Sequence, residues 1–175
     1  MQLDPNLPLA HAKLGIALAY RSDPEEAIAA FEKAIALNPN FTDWRFAIPL
    51  MFSGQFARAT EVAEAHMRVD PFYPPLVQIV TGFARYMLNQ DEDALPLLRD
   101  GVLRAPNARF GRVVLAAAYV QLGRLDEARA QASEVLRIEP NYTLARTERQ
   151  LRRFSSREHA SRYFDDLRKA GLPER

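Results

Sequence analysis

Three histidines, His11, His66 and His159, are the first residues that could hold a metal or move a proton. They fall on three different predicted helices. None has the His-x-x-x-His or His–carboxylate spacing that brings two ligands onto one helix face, so they read as structural. Neighbouring carboxylates, Glu25 with Glu26, Asp91 with Asp93 and Asp165 with Asp166, could supply a general acid and a general base. Each set lies at a predicted helix start or on a polar helix face, where attraction to the helix dipole or solvation accounts for it. The glycines form neither a G-x-G-x-x-G nor a Walker loop to cradle phosphate, and no G-x-S-x-G elbow is present. Arg146, Arg149, Arg152, Arg153 and Arg157 could contact phosphates. Glu148 and Glu158 are interleaved with them and no nucleic-acid motif accompanies them, so a solvated face or an acidic protein partner is the preferred reading. The expectation is a chain without catalytic residues, cofactor, metal or nucleic-acid ligand.

The whole-chain chemistry agrees. Over 175 residues, 48% are hydrophobic and 26% charged, which excludes an intrinsically disordered chain. Lys and Arg number 23 against 22 Asp and Glu, so net charge offers no reason to expect a polyanionic partner. With no cysteine there are no disulfides, zinc fingers, iron–sulfur clusters or thiol catalysis, and a cytoplasmic protein is expected. The longest uncharged stretch, residues 71–84, contains three prolines and is shorter than the ~20 apolar residues of a spanning helix. Asp4 and Pro5 stand where a signal peptide would have basic and apolar segments, so neither a membrane nor a leader is expected.

What must then be explained is regularity. Five related tetrads, LDPN, LNPN, VDPF, RAPN and IEPN, place prolines at 5, 39, 71, 106 and 140, with spacings of 34, 32, 35 and 34. A period near 34 signals a repeat array of helix pairs. Ala27, Ile28, Phe31, Ala34 and Ile35, and later Leu125, Ala128, Ala132, Val135 and Leu136, show the three-and-four spacing of amphipathic helices. Helices are predicted at about 8–20, 24–37, 41–52, 56–69, 75–88, 92–104, 109–121, 125–138, 142–153 and 156–170. Pro49 and Pro96 fall inside two of them and should bend the rod, with the local distortion centred on residues 44–52.

These features resemble the tetratricopeptide repeat (TPR). Residues 8–39 carry its pattern in His11, Leu14, Gly15, Leu18, Ala27, Phe31 and Pro39, and residues 109–140 in Leu115, Ala116, Tyr119, Gly123, Ala128, Ala132 and Pro140. The middle units, 40–71 and 75–106, match less fully, through Phe46, Ala47, Leu50, Gly54, Ala59 and Ala63, and through Gly82, Ala94 and Leu98. The resemblance implies an all-α, right-handed TPR solenoid of antiparallel helix pairs with a C-terminal capping helix. It has four repeats, with residues 1–7 the end of a truncated preceding repeat and 141–175 the capping helices. Leu7, Leu14 and Leu18 then leave sticky surface at the N-terminal end. In residues 141–175, nine Lys or Arg face five Asp or Glu. Ser155 and Glu158 read there as a capping box, followed by the apolar stripe Ala160, Tyr163, Phe164, Leu167 and Ala170.

A narrower resemblance lies in VDPFYPP (69–75), EVLRIEPNYT (134–143) and LRKAGLPE (167–174). These look like the repeat region that ends many bacterial class III adenylate/guanylate cyclase proteins, downstream of the catalytic domain. It implies a regulatory or docking part of a larger bacterial signalling protein, and carries over no catalytic residue.

In TPR proteins the first helix of each pair lines a concave face. The corresponding positions here include Ile16, Tyr20, Phe41, Trp44, Ile48, Phe52, Ile79, Phe83, Tyr86, Phe110 and Val113. The Lys, Asn and Arg with which chaperone-type members grip a carboxylate are replaced by apolar residues. An apolar groove of this kind calls for a cover, whether a protein or peptide partner, a second copy in a homodimer, or the chain's own C-terminal helix.

Overall fold

The computed structural model describes residues 7–21, 23–151 and 157–175, and these form an all-α chain in two compact units, Met1–Tyr73 and Pro74–Arg175. The first unit contains α1 (Pro8–Arg21), α2 (Pro24–Leu37), a 3-10 turn (Trp44–Phe46), α3 (Ala47–Phe52) and α4 (Phe56–Val69). The second contains α5 (Pro75–Met87), α6 (Asp91–Arg104), α7 (Arg109–Gln121), α8 (Leu125–Ile138), α9 (Leu144–Leu151) and α10 (Arg157–Lys169). Consecutive helices pair, α1 with α2, α3 with α4, α5 with α6 and α7 with α8.

The helix ends follow from two backbone constraints. The second helix of each pair stops at Asn38, Asp70, Ala105 and Glu139, each immediately before a repeat proline. Proline's ring excludes the α conformation from the residue before it. Those four residues accordingly have φ of -145°, -122°, -132° and -135°, while their N–H groups still donate to the carbonyl four residues back. First helices end differently. The chain turns through left-handed Gly54, Asn89 and Gly123, and the next N–H, from Gln55, Gln90 and Arg124, reaches back to the carbonyls of Leu50, Arg85 and Tyr119. This is the bond pattern of the Schellman motif, which satisfies carbonyls the helix leaves open.

Within each pair, small residues let the backbones meet. A Cβ on Gly15 would lie 2.6 Å from the Phe31 ring and 3.1 Å from the Ala27 carbonyl oxygen. On Gly82 it would lie 2.6 Å from Leu98 and 3.3 Å from the Ala94 oxygen. Ala27, Ala59, Ala94 and Ala128, the repeat alanines, are fully buried. In the second unit Ile79 of α5 meets a glycine on each side, Gly101 of its own partner α6 and Gly111 of α7 in the next pair, each with a would-be Cβ 2.7 Å from it.

The expected distortion near Pro49 takes the form of a late helix start. Instead of one helix over 41–52, Asp43 opens a 3-10 turn, its Oδ1 accepting from the Arg45 N–H at 3.0 Å while the Arg45 guanidinium grips the same carboxylate at 2.7 and 2.6 Å. The α-helix begins only at Ala47, which puts Pro49 in its first turn, where no intrahelical N–H bond is made in any case. The turn is held from both sides. Phe46 stacks on Phe31 with ring centroids 4.9 Å apart, and the Arg58 guanidinium lies 5.2 Å over the Phe46 ring. Pro96, by contrast, is carried inside an unbroken α6. The bond it deletes would have used the carbonyl of Glu92, and both residues are exposed, so that carbonyl stays open to solvent.

The capping box read at Ser155 lies outside the described residues. Beyond it, α10 buries Tyr163, Phe164, Leu167 and Ala170 of the expected stripe. Left-handed Gly171 then ends the helix, with Leu172 donating to the Leu167 carbonyl. The tail turns back so that the carbonyls of Pro173 and Glu174 accept from Leu144 and Ala145 at the start of α9.

Two glycine substitutions separate packing from backbone conformation. Gly82→Ala drives a methyl into Leu98 and should lower stability by ~1–3 kcal/mol in chemical denaturation. Gly123→Ala meets open space at φ +70° and should cost only the left-handed conformation, about 1 kcal/mol. Equal losses would show that α5 and α6 are not in close contact.

Candidate protein-docking face

In the first unit, α1 packs against the 3-10 turn, which brings the carriers of the expected groove residues together. Ile16, Trp44, Ile48 and Phe52 are half-buried, and Tyr20 is 79% exposed at the last turn of α1. Phe41 is turned toward α2 and α4, lining a cleft of about 220 Å³ with Phe31, Ile35 and Val62. The first unit also leaves Leu7, just before α1, and Leu9 and Leu14 of α1 exposed.

The second unit treats the equivalent positions otherwise. Ile79, Phe83, Tyr86 and Val113 are buried and Phe110 half-buried. The cover over Phe83 and Tyr86 is α10. Its Tyr163 ring sits 5.5 Å from Phe83 and 5.8 Å from Tyr86, and Phe110 meets Phe83 edge-on at 5.4 Å. A polar anchor lies inside this aromatic contact. The Tyr86 hydroxyl and the Gln121 amide both donate to Asp166 Oδ2 at 2.6 Å. Arg162 places its guanidinium 4.4 Å over the Tyr86 ring and donates to the Tyr86 carbonyl.

Asp166 corrects the sequence reading of the Asp165–Asp166 pair as a polar face. Asp165 is exposed and ion-paired with Arg168, but Asp166 has 0% exposure. The signal lay in spacing, since Asp166 follows Tyr163 by three residues and so shares its buried face. Arg162, one arginine among many, carries no pattern in the sequence that marks it.

Burial dominates the acid–base behaviour here. It raises the Tyr86 phenol well above its ordinary value, and the bond to Asp166 raises it further. Burial also pushes up Tyr163 and Tyr142. Asp91, at the start of α6, is raised by burial and by the Asp166 charge, against the opposing pull of Arg162.

Among the described residues no group of three or more His, Asp or Glu could hold a metal, and no helix is long and apolar enough to cross a membrane. A larger cleft of about 490 Å³ between α6, α7 and α8 is lined by Arg99, Asp100, Arg112, Tyr119 and Gln131. Its Arg112 is already held by the Pro106 carbonyl at 2.8 Å and Gln131 at 2.9 Å. Of the arginines in the tail, Arg146 pairs with Glu139 at 2.9 Å, and the side chains of Arg149, Arg152, Arg153 and Arg157 lie outside those described.

Residues 8–41 match one tetratricopeptide-repeat model and residues 112–142 match another. No curated protein matches the chain. Among solved structures the chain is similar to YrrB, described as a TPR protein with an unusual peptide-binding site, at 20% identity over 94% of this chain and 85% of that one, with a TM-score of 0.65. It is also similar to MamA from Desulfovibrio magneticus RS-1, at 18% identity over 97% of both chains and a TM-score of 0.68. A further MamA structure aligns at 23% identity over 91% of this chain and 96% of that one, with a TM-score of 0.66. The chain carries tetratricopeptide repeats and has the fold of TPR proteins.

The buried phenols give a pH test. A tyrosine whose pKa is raised by folding contributes stability that is intact below the unfolded value of about 10 and is lost as pH rises through the folded value. Above about pH 10, Tyr86, Tyr142 and Tyr163 should therefore stay neutral until the chain unfolds. Their phenolate absorbance should appear together with loss of far-ultraviolet dichroism. Ionisation of all tyrosines ahead of that loss would show that α10 does not seal Tyr86.

Proposed function

We propose that the chain is a non-catalytic protein-interaction module that takes a protein or peptide on the apolar face of its TPR helices. The observation that carries this reading is Tyr20, a large aromatic 79% exposed on α1, beside half-buried Ile16, Trp44 and Ile48. Aromatic side chains supply much contact area for little conformational entropy, which is why they dominate binding hot spots. The fold shared with YrrB, described as having a peptide-binding site, supports the same reading. We further propose, from the three strings shared with cyclase C-terminal regions, that the module is the docking part of a larger bacterial signalling protein working in the cytoplasm. In the alternative reading, cyclic-nucleotide synthesis belongs to a catalytic domain of the parent protein outside these residues.

The test is selection of peptides from a displayed helical-peptide library against the full chain, followed by calorimetry. Selected peptides should lose at least about tenfold in affinity for Tyr20→Ala, as a hot-spot truncation does, with the thermal midpoint unchanged. Trp44 fluorescence should shift on binding. Peptides that bind wild type and Tyr20→Ala equally would remove this face as the docking surface. Incubation of the chain with ATP and Mg²⁺ should yield no cyclic nucleotide.

A further inference from the structure

The contact made by α10 is built like a receptor holding a ligand. On the receptor side, Phe83 and Tyr86 of α5 present a ring platform, and the Tyr86 hydroxyl and Gln121 amide present two donors aimed at one carboxylate oxygen. On the ligand side a single helical face carries Arg162, Tyr163, Asp166 and Leu167. Arg162 covers the Tyr86 ring, Tyr163 fills the platform, and Asp166 enters the donor pair one turn later.

The fit has a defect. Asp166 Oδ1 is buried and accepts no hydrogen bond, and it faces Lys169 Nζ at 3.6 Å, on a largely exposed side chain. Asp91 Oδ1, at the edge of the same cluster, is also buried without a hydrogen-bond donor. A buried acceptor that has given up water without gaining a partner weakens the contact that buries it. At 13 residues α10 is also too short to be stable as an isolated helix, so its order depends on this seat.

We propose that the seat of α10 is a docking groove for an external amphipathic helix bearing an aromatic residue followed three residues later by a carboxylate, and that α10 is its built-in competitor. A partner with the same anchors and one more donor directed at Asp91 outcompetes α10, because it repairs what α10 leaves unsatisfied. The proposal rests on the reading of the chain as an interaction module, but uses α5 and α7 and not the face around Tyr20.

The probe is a fluorescein-labelled peptide of residues 157–172 added to the full chain, read by anisotropy and by amide hydrogen exchange. The wild-type peptide should bind saturably, and at least about tenfold more tightly to the Asp166→Ala chain, whose own α10 is weakened while the groove is intact. A peptide carrying Asp166→Asn should bind at least about tenfold more weakly than the wild-type peptide. In the wild-type chain the added peptide should speed exchange of α10 amides while α5 and α7 stay protected. Absence of saturable binding to either chain, or α10 amides that exchange only together with those of α5 and α7, would make α10 a permanent part of the core and overturn the proposal. If Asp166→Ala does not fold by circular dichroism, the exchange measurement on wild type decides alone. Concentration-dependent dimerisation of the wild-type chain that the peptide abolishes would assign the groove to a second copy and equally overturn an external partner. Because library peptides selected through Tyr20 do not need this groove, their binding survives failure here and separates the two readings.

Discussion

Two helices can lie with their backbones nearly touching only where a side chain is absent or is a single methyl group, and this contact sets the geometry of the chain. Gly15 over Ala27 and Gly82 over Ala94 are such points. Each forces a large neighbour, Phe31 or Leu98, flat against the partner helix, where it is fully buried. Small residues recur around Ile79, at Gly101 within its pair and at Gly111 of the next pair. Since nothing bulky separates the helices, little rotation is open to a helix without a clash, and the outward-facing residues are thereby determined too. The apolar face of the first helices is a consequence of how the glycines and alanines are spaced.

Helix lengths were legible because the residues that end helices act locally. Pre-proline sterics stop α2, α4, α6 and α8, and left-handed Gly54, Asn89 and Gly123 stop α3, α5 and α7; none of this needs a tertiary partner. The segment at 41–46 was not legible because its outcome is a competition. Pro49 forbids an interior helical position, the Asp43–Arg45 pair offers a local alternative, and stacking of Phe46 on Phe31 rewards it. A periodicity argument registers only the apolar spacing and carries the helix through.

The apolar residues of the first helices were legible as a class and not as a set of exposures. Tyr20 and Tyr86 occupy the same kind of repeat position, yet one is 79% exposed and the other buried. What divides them is α10, whose apolar stripe could be read while its seat could not. Asp166 shows the limit most clearly. A carboxylate beside a second carboxylate looks solvated on any composition argument, and only the converging Tyr86 and Gln121 donors make its burial tolerable. Buried charge is a property of the partners, which lie 80 and 45 residues away in sequence.

The strings VDPFYPP, EVLRIEPNYT and LRKAGLPE each have a structural occupation. VDPFYPP ends α4 with a pre-proline cap at Asp70, whose side chain also accepts from the Phe72 N–H at 2.9 Å, and its last proline opens α5. EVLRIEPNYT finishes α8 and supplies buried Tyr142, with Arg109 5.4 Å over its ring. LRKAGLPE closes α10 through left-handed Gly171, and its last residues cap α9, with the Leu144 and Ala145 N–H groups donating to Pro173 and Glu174. The third string is thus bonded through its backbone to Leu144 and Ala145, the two residues that directly follow the second. The turn at Gly171 follows directly on the helix that carries Tyr163 and Asp166, so the bonds that fix this turn against α9 also help hold Asp166 against Tyr86 and Gln121.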